Sequence, residues 1–221
     1  MKEKILVTAA WPYANAYIHV GNLTGAYLPA DIFARFQRLM GRETLFVSGS
    51  DAHGTPITVR ADAEKSTAEA VYKRFHESFL DMQHKVGITY DLFSSTHTEN
   101  HFKVSQDVFL ALKENGYLYK ATDKQWYTPS QKKFLPDRYV EGTCYICGYD
   151  NARSDQCDKC GNLLDPEKLI SPRSKIDGSM PELRETEHYY LDLGKLQNRV
   201  VNFLKAREDY WRPNVLRQSL G

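Results

Sequence analysis

All four cysteines of the chain fall within seventeen residues, as Cys144-x2-Cys147 and Cys157-x2-Cys160, each pair followed at once by a glycine, Gly148 and Gly161. Two thiolates two residues apart grip one tetrahedral ion, and the glycine lets each turn fold back so that backbone amides reach the sulfurs. The spacing therefore predicts two zinc knuckles, with a disulfide pair or a redox Cys-x-x-Cys as the alternative. With thiolates at every position there is no open site for a catalytic water, so the expected ion is structural, one per chain. Cysteines confined to one loop leave the rest of the chain without a crosslink, as in a reducing compartment.

A chain of 221 residues, 42% hydrophobic and 26% charged, can bury a real core, and its length suits one domain carrying an insertion or two small domains. Residues 1–116 hold 12 basic against 13 acidic side chains and the remainder 17 against 15, so no global basic field marks a nucleic-acid binder. No apolar run approaches the roughly eighteen residues that cross a bilayer. The opening lysines and short apolar stretch faintly imitate a signal peptide, but Pro12, Tyr13 and Asn15 interrupt it. The expectation is a cytoplasmic protein with no membrane partner.

Residues 5–9 form a short apolar run bounded by turn residues, consistent with a buried parallel strand. Leu23, Tyr27, Ala30 and Phe33 or Ala34 then recur at helical spacing up to Gly41, with Pro29 implying a kink or a delayed start. Residues 44–47 read as the second strand and 88–93 as the third. Ser66 with Glu69, and Thr96 with Glu99, are placed as capping boxes before two further helices, closed at Gly87 and at Asn115-Gly116. This alternation predicts a doubly wound α/β domain with a parallel sheet. After Gly116 short aromatic-rich runs at 125–128 and 138–140, punctuated by Pro129, Pro136 and Gly142, predict a β-rich module. Leu196, Val200, Phe203 and Leu204 mark a later amphipathic helix, and Pro213-Asn214 the capped start of another.

Two loops follow predicted strands on one edge of the sheet. Residues 11–22 deliver His19, Gly21 and Asn22 to a helix N-terminus, a place that favours phosphate, although His-x-Gly-Asn alone also fits an ordinary satisfied loop. Ser50-Asp51-Ala52-His53-Gly54-Thr55-Pro56 puts a carboxylate where it can pair with a ligand ammonium group or simply cap the helix at Pro56. His97 and His101 stand four apart, but the glutamate between them is Glu99, so no metalloprotease motif is present.

Together these strings resemble the amino-terminal part of the class I methionyl-tRNA synthetase family. Residues 5–22 resemble its HIGH region, 51–56 its D-x-H-G-T-P segment, 134–144 the entry to its zinc-bearing connective insertion and 187–190 the exit. The resemblance implies a Rossmann-like catalytic domain of the HIGH-type nucleotidyltransferase superfamily: a first half at 1–116, an inserted β-rich zinc-knuckle domain at 117–187, and a return to the catalytic domain at 188–221. It implies ligase activity, in which methionine attacks the α-phosphate of ATP to give methionyl adenylate and the acyl group passes to tRNA.

The implied catalytic residues are His19 and Asn22, the latter where many members have a second histidine. ATP, with Mg2+, is expected at Tyr13, Asn15, His19, Gly21 and Asn22, and methionine at Ala10, Trp11, Tyr13 and Asp51. Trp11 stands where leucine is frequent. Structural Zn2+ is implied at Cys144, Cys147, Cys157 and Cys160. The implied macromolecular partners are the acceptor end of tRNA(Met) and a separate downstream synthetase segment. Members with two zinc ions carry a second pair of knuckles, and Ser174-Lys175-Ile176-Asp177-Gly178 is similar to such a turn with both cysteines replaced. No K-M-S-K-S loop or anticodon-binding domain is found, so the sequence resembles a fragment with weak activity or none. The competing readings are a noncatalytic module that holds tRNA or a protein, and a small adenylyltransferase, which would not need the zinc insertion.

Overall fold

The structure, a computed structural model, describes residues 3–220. The chain divides into two compact units, one ending at Ser105 and the other beginning at Gln106.

In the first unit β1 (Lys4–Thr8), β2 (Glu43–Ser50) and β3 (Leu92–Ser95) form a parallel sheet in the order β1-β2-β3, with Ile5 opposite Thr44 and Ser50 opposite Ser95. Between β1 and β2 the chain is helical from α1 (Val20–Asn22) through a π-helical turn at Leu23–Tyr27 into α2 (Leu28–Leu39). Pro29 explains that turn: it has no N–H for the carbonyl four residues back, and the wider turn takes up the mismatch, with Leu28 N–H bonded to Leu23 O. Between β2 and β3 lie α3 (Thr55–Ala63) and α4 (Ala68–Val86).

Strand alternation sends Val7 and Phe46 to one face, where they are buried with Tyr27 and Ala34. Ile57, Val71, Phe75 and Phe79 bury the contact between α3 and α4. The α/β architecture expected of the sequence is present, with several local differences. Thr67, not Ser66, caps α4, accepting from Ala70 N at 3.1 Å. Thr98, not Thr96, accepts from His101 N at 3.2 Å at the start of α5 (Glu99–Glu114), so His97 lies outside that helix and does not share a face with His101.

The third strand begins later than residue 88. Thr89 is held by Asp31 instead of a ladder, its N–H and hydroxyl 2.7 and 2.6 Å from Asp31 Oδ1. Asp31 is a buried carboxylate, and the strand starts only once that demand is met.

The second unit is β-rich, as expected. β4 (Leu118–Thr128) pairs antiparallel along ten residues with β9 (Glu182–Leu191), and β5 (Lys133–Phe134) flanks β4. A second sheet, in the order β7-β6-β8, consists of β6 (Val140–Thr143), β7 (Ala152–Arg153) and β8 (Ile170–Ser174). Residues 138–139, expected as part of a strand, belong to a 3-10 turn at Asp137–Tyr139. Trp126, Leu135, Val140, Leu164 and Leu169 share a core with Cys144 and Cys157. β9 runs as one strand through position 187, and contacts divide the chain inside α5. Two helices follow, α6 (Leu193–Lys205) and α7 (Pro213–Leu220). Pro213 opens α7 as its first residue, where its missing N–H costs nothing, so Asn214 lies inside the helix and does not cap it. Among the described residues no helix is long and apolar enough to cross a membrane.

Candidate functional site

At the carboxyl ends of β1 and β2 the two loops are stitched together by backbone. Asp51 N–H donates to Pro12 O and Ala14 N–H to Asp51 O, both at 2.8 Å, which makes a parallel bridge between Tyr13 and Asp51. Ala14 is fully buried, so this junction is part of the core even though Tyr13 is exposed. The Asp51 carboxylate does not cap α3. Gly54 occupies that position at φ 102°, a left-handed conformation open to glycine, and no side chain caps the helix there. Asp51 Oδ1 instead accepts from His53 N at 3.1 Å and faces the Thr96 hydroxyl at 3.4 Å, while Thr96 Oγ1 accepts Ala52 N–H at 2.8 Å. Thr96 is thus the brace of the Asp51 turn, a role its sequence placement as a helix cap concealed.

Trp11 lies against the strand next to this turn. A Cβ on Gly49 would stand 2.6 Å from Trp11 Cη2 and 2.8 Å from Ser94 O, so only glycine lets the indole and β3 both approach. Nothing in the sequence singles Gly49 out. Ala10 is exposed beside them.

His19, Gly21 and Asn22 form a reciprocal cap at the start of α1. Asn22 N–H donates to His19 Nδ1 at 3.2 Å and His19 N–H to Asn22 Oδ1 at 3.3 Å. A Cβ on Gly21 would approach His19 Cε1 to 3.0 Å, so the small residue makes room for the imidazole. With Nδ1 accepting, the neutral ring carries its proton on Nε2 and offers a donor outward. Asn15 joins the loop through its N–H to Tyr13 O at 2.9 Å.

In the second unit the four cysteine sulfurs all lie within 4.8 Å of one another, and Cys147 Sγ is 3.6 Å from Cys157 Sγ. A tetrahedral ion with sulfur at about 2.3 Å needs sulfur–sulfur edges of about 3.8 Å, so the cluster fits a metal. Cys144 and Cys157 are buried, and all four cysteines are free of disulfides. The polar surroundings suit thiolates at Cys144 and Cys160: Ile146 N and Cys147 N both lie 3.4 Å from Cys144 Sγ, and Asn162 Nδ2 lies 3.2 Å from Cys160 Sγ. The Asn162 bonds pull the Cys160 thiol down to about 6. Burial pushes Cys144 up, yet the amides of Cys147 and Ile146 leave it below its ordinary value.

The turn at 174–179 repeats this backbone without the sulfur. Cys144 N bonds Tyr149 O and Gly148 N bonds Cys144 O at 2.8 and 2.9 Å; Ser174 N bonds Ser179 O and Gly178 N bonds Ser174 O, both at 2.8 Å. Gly148, Gly161 and Gly178 have φ of 73, 74 and 73°. In place of thiolates, Asp177 accepts from Ser130 Oγ at 2.5 Å and from Ser179 Oγ at 2.7 Å, and Ser130 Oγ is 2.8 Å from Thr128 Oγ1. These bonds hold Asp177 well below the usual carboxylate range, the Ser130 contact first among them.

Comparison with known proteins bears on both units. Residues 5–221 match the family described as tRNA synthetases class I (M). The chain is 54% identical over 217 residues to a methionine–tRNA ligase of Roseiflexus sp. (strain RS-1), covering 98% of this chain and 37% of that relative. It is 50% identical over its whole length to the methionine–tRNA ligase of Corynebacterium glutamicum (strain R), covering 36% of it. The chain therefore spans a little over one third of the length of these relatives. Among solved structures, Mycobacterium tuberculosis methionyl-tRNA synthetase in complex with methionyl-adenylate superposes with a TM-score of 0.67 at 23% identity, over 97% of this chain and 37% of that one. A leucyl synthetase ternary complex, Agrobacterium radiobacter K84 agnB2 LeuRS-tRNA-LeuAMS, superposes at 0.64 with 18% identity, over 94% of this chain and 23% of that one. At such identities the superpositions speak to the fold.

Proposed function

The chain belongs to the class I (M) family of tRNA synthetases, and from that premise we propose that it is the amino-terminal catalytic portion of a methionine–tRNA ligase. The methionine carboxylate attacks the α-phosphate of ATP, pyrophosphate departs, and the methionyl group of the adenylate then passes to the acceptor end of tRNA(Met). In this reading residues 1–116 and 188–221 belong to the catalytic domain and 117–187 to the connective insertion. The observation that carries it is the junction of Tyr13 with Asp51, which fixes a carboxylate at the mouth of a parallel sheet beside a helix start headed by His19.

Each residue has a task consistent with its bonds. Asp51 Oδ1 is engaged by His53 N–H, so Oδ2 takes the methionine ammonium group, a partner whose absence would cost several kcal/mol. Ala10, Trp11 and Tyr13 line the amino-acid side. His19 donates Nε2–H to phosphate. Asn22, whose Oδ1 is already occupied, donates through Nδ2. Gly21 leaves room for the adenine ring, and Tyr13 and Asn15 shape the ATP loop. No covalent enzyme intermediate is needed, because positioning and phosphate stabilisation, with Mg2+ on ATP, supply the rate. Zn2+ held by Cys144, Cys147, Cys157 and Cys160 is structural and takes no part in the chemistry.

Methionine-dependent exchange of pyrophosphate into ATP, measured with this chain and with a polypeptide of the relatives' length, tests the proposal. Exchange by the longer protein that survives both His19→Ala and Asp51→Ala would refute the assigned roles.

A further inference from the structure

One polar pair next to the proposed methionine site, a buried serine with a half-buried histidine, has no place in the mechanism above. Ser50, the last residue of β2, is fully buried, and its hydroxyl lies 2.7 Å from His76 Nδ1 on α4. The same serine carries the brace of the Asp51 turn: its carbonyl accepts Thr96 N–H at 3.1 Å, and Thr96 in turn takes Ala52 N–H. The imidazole is itself confined. It stacks on Phe93 of β3 at 5.8 Å and meets Tyr72 at 5.7 Å, and Tyr72 continues to His97 and on to His53, each step 5.3 Å between ring centroids. Burial also holds His76 below the ordinary histidine value, against the opposing pull of Glu77.

We propose that His76 is a positioning residue for the amino-acid site: through the Ser50 hydroxyl it ties α4 to the end of β2 and so fixes the turn that presents Asp51. The proposal rests on the reading of Asp51 as the ammonium partner, but the turn's order is measurable without a ligand. Removing one member of the pair strands the other, and replacing both by apolar groups removes that cost but does not restore the tie. His76→Phe keeps a ring against Phe93 and strands Ser50, while Ser50→Ala with His76→Phe removes the demand. His76→Asn places an amide near the position of Nδ1 and gives up the stacking.

Amide hydrogen exchange on the whole chain should rise about tenfold or more at Ala52 and Thr96 in His76→Phe. It should stay raised in the double variant, which lacks the tie, and return near the parent rate in His76→Asn. The apparent dissociation constant for L-methionine should follow the same order. Unchanged exchange in His76→Phe, or a double variant that exchanges at the parent rate, overturns the proposal. Should His76→Phe fail to fold, parent-like exchange in His76→Asn supports the strut, and exchange in it as fast as in a Ser50→Ala, His76→Ala chain overturns it. If exchange responds as stated while Asp51→Ala leaves methionine affinity intact, the strut stands and the ligand assignment of Asp51 falls.

Discussion

Asp31 shows how much one side chain can decide. It sits on α2 at 5% exposure, accepts from Thr89 N and Oγ1 and from Arg35 Nε at 2.6 Å, and delays the start of β3. Burial pushes its carboxyl up, but the Thr89 and Arg35 bonds more than offset this and leave it below the usual value. A carboxyl depressed in the folded state contributes stability that is present above its unfolded value, near pH 4, and is lost as pH falls through the folded one. Asp31→Asn should therefore cost about 1–3 kcal/mol at neutral pH. The deficit should shrink below about pH 4, as urea titrations of the two proteins across pH would show. Asp51, His19 and the cysteines stood out because loops and spacings frame them. Thr96, Ser50, His76 and Gly49 did not, since their roles depend on partners 38 or more residues away that no local pattern records, apart from the 26 residues between Ser50 and His76.

Among the elements, the turns of the β-rich unit compare two ways of joining loops. The turns at 144–149 and 157–162 bring four thiolates together, while that at 174–179 reaches the segment 128–130 through Asp177, Ser130 and Thr128. Apparent binding energies of about 10–16 kcal/mol for zinc in small domains make the first join the dominant one. Elemental analysis of protein purified without added metal should find one zinc per chain. A strong chelator should then abolish amide protection across 144–162, while Ser174 and Gly178, bonded to backbone carbonyls, keep more of theirs. Asp177→Ala should show the converse, loosening 128–130 and 174–179 with zinc retained. Equal loss at both places on chelation would mean the unit folds as one metal-dependent block. The element types were legible here because glycine at a left-handed position and cysteine spacing are local signals. Helix starts were less so: Ser66 and Thr96 have the right chemistry for caps, yet the neighbouring Thr67 and Thr98 hold the positions, one and two residues on.

At the scale of the whole molecule, the parallel sheet buries one face and, among the described residues, leaves much of the other open to solvent beyond the patch under Trp11. Val7 and Phe46 are buried, whereas Leu6, Leu45 and Leu92, which alternation sends to the other side, are 65, 50 and 58% exposed. Parallel sheets ordinarily bury both faces, so periodicity foretold the strands but had no means of foretelling a bare side. The relatives are nearly three times as long as this chain, and the prediction for a polypeptide of that length is that added residues bury these leucines. Adenylate formation also needs charge on the departing pyrophosphate, and losing one preorganised electrostatic contact typically lowers a rate by about a hundredfold or more. The 221-residue polypeptide should therefore exchange pyrophosphate at least about a hundredfold more slowly than a polypeptide of the relatives' length. It should also self-associate through the exposed face, and Leu6→Lys with Leu45→Glu should suppress that association in sedimentation runs without unfolding the chain, since both positions already meet solvent. The same pair of changes placed in the longer polypeptide should be strongly destabilising. Exchange by the short chain at the rate of the long one would mean that its own loops, with His19 and Asn22, supply the full stabilisation of the leaving phosphates.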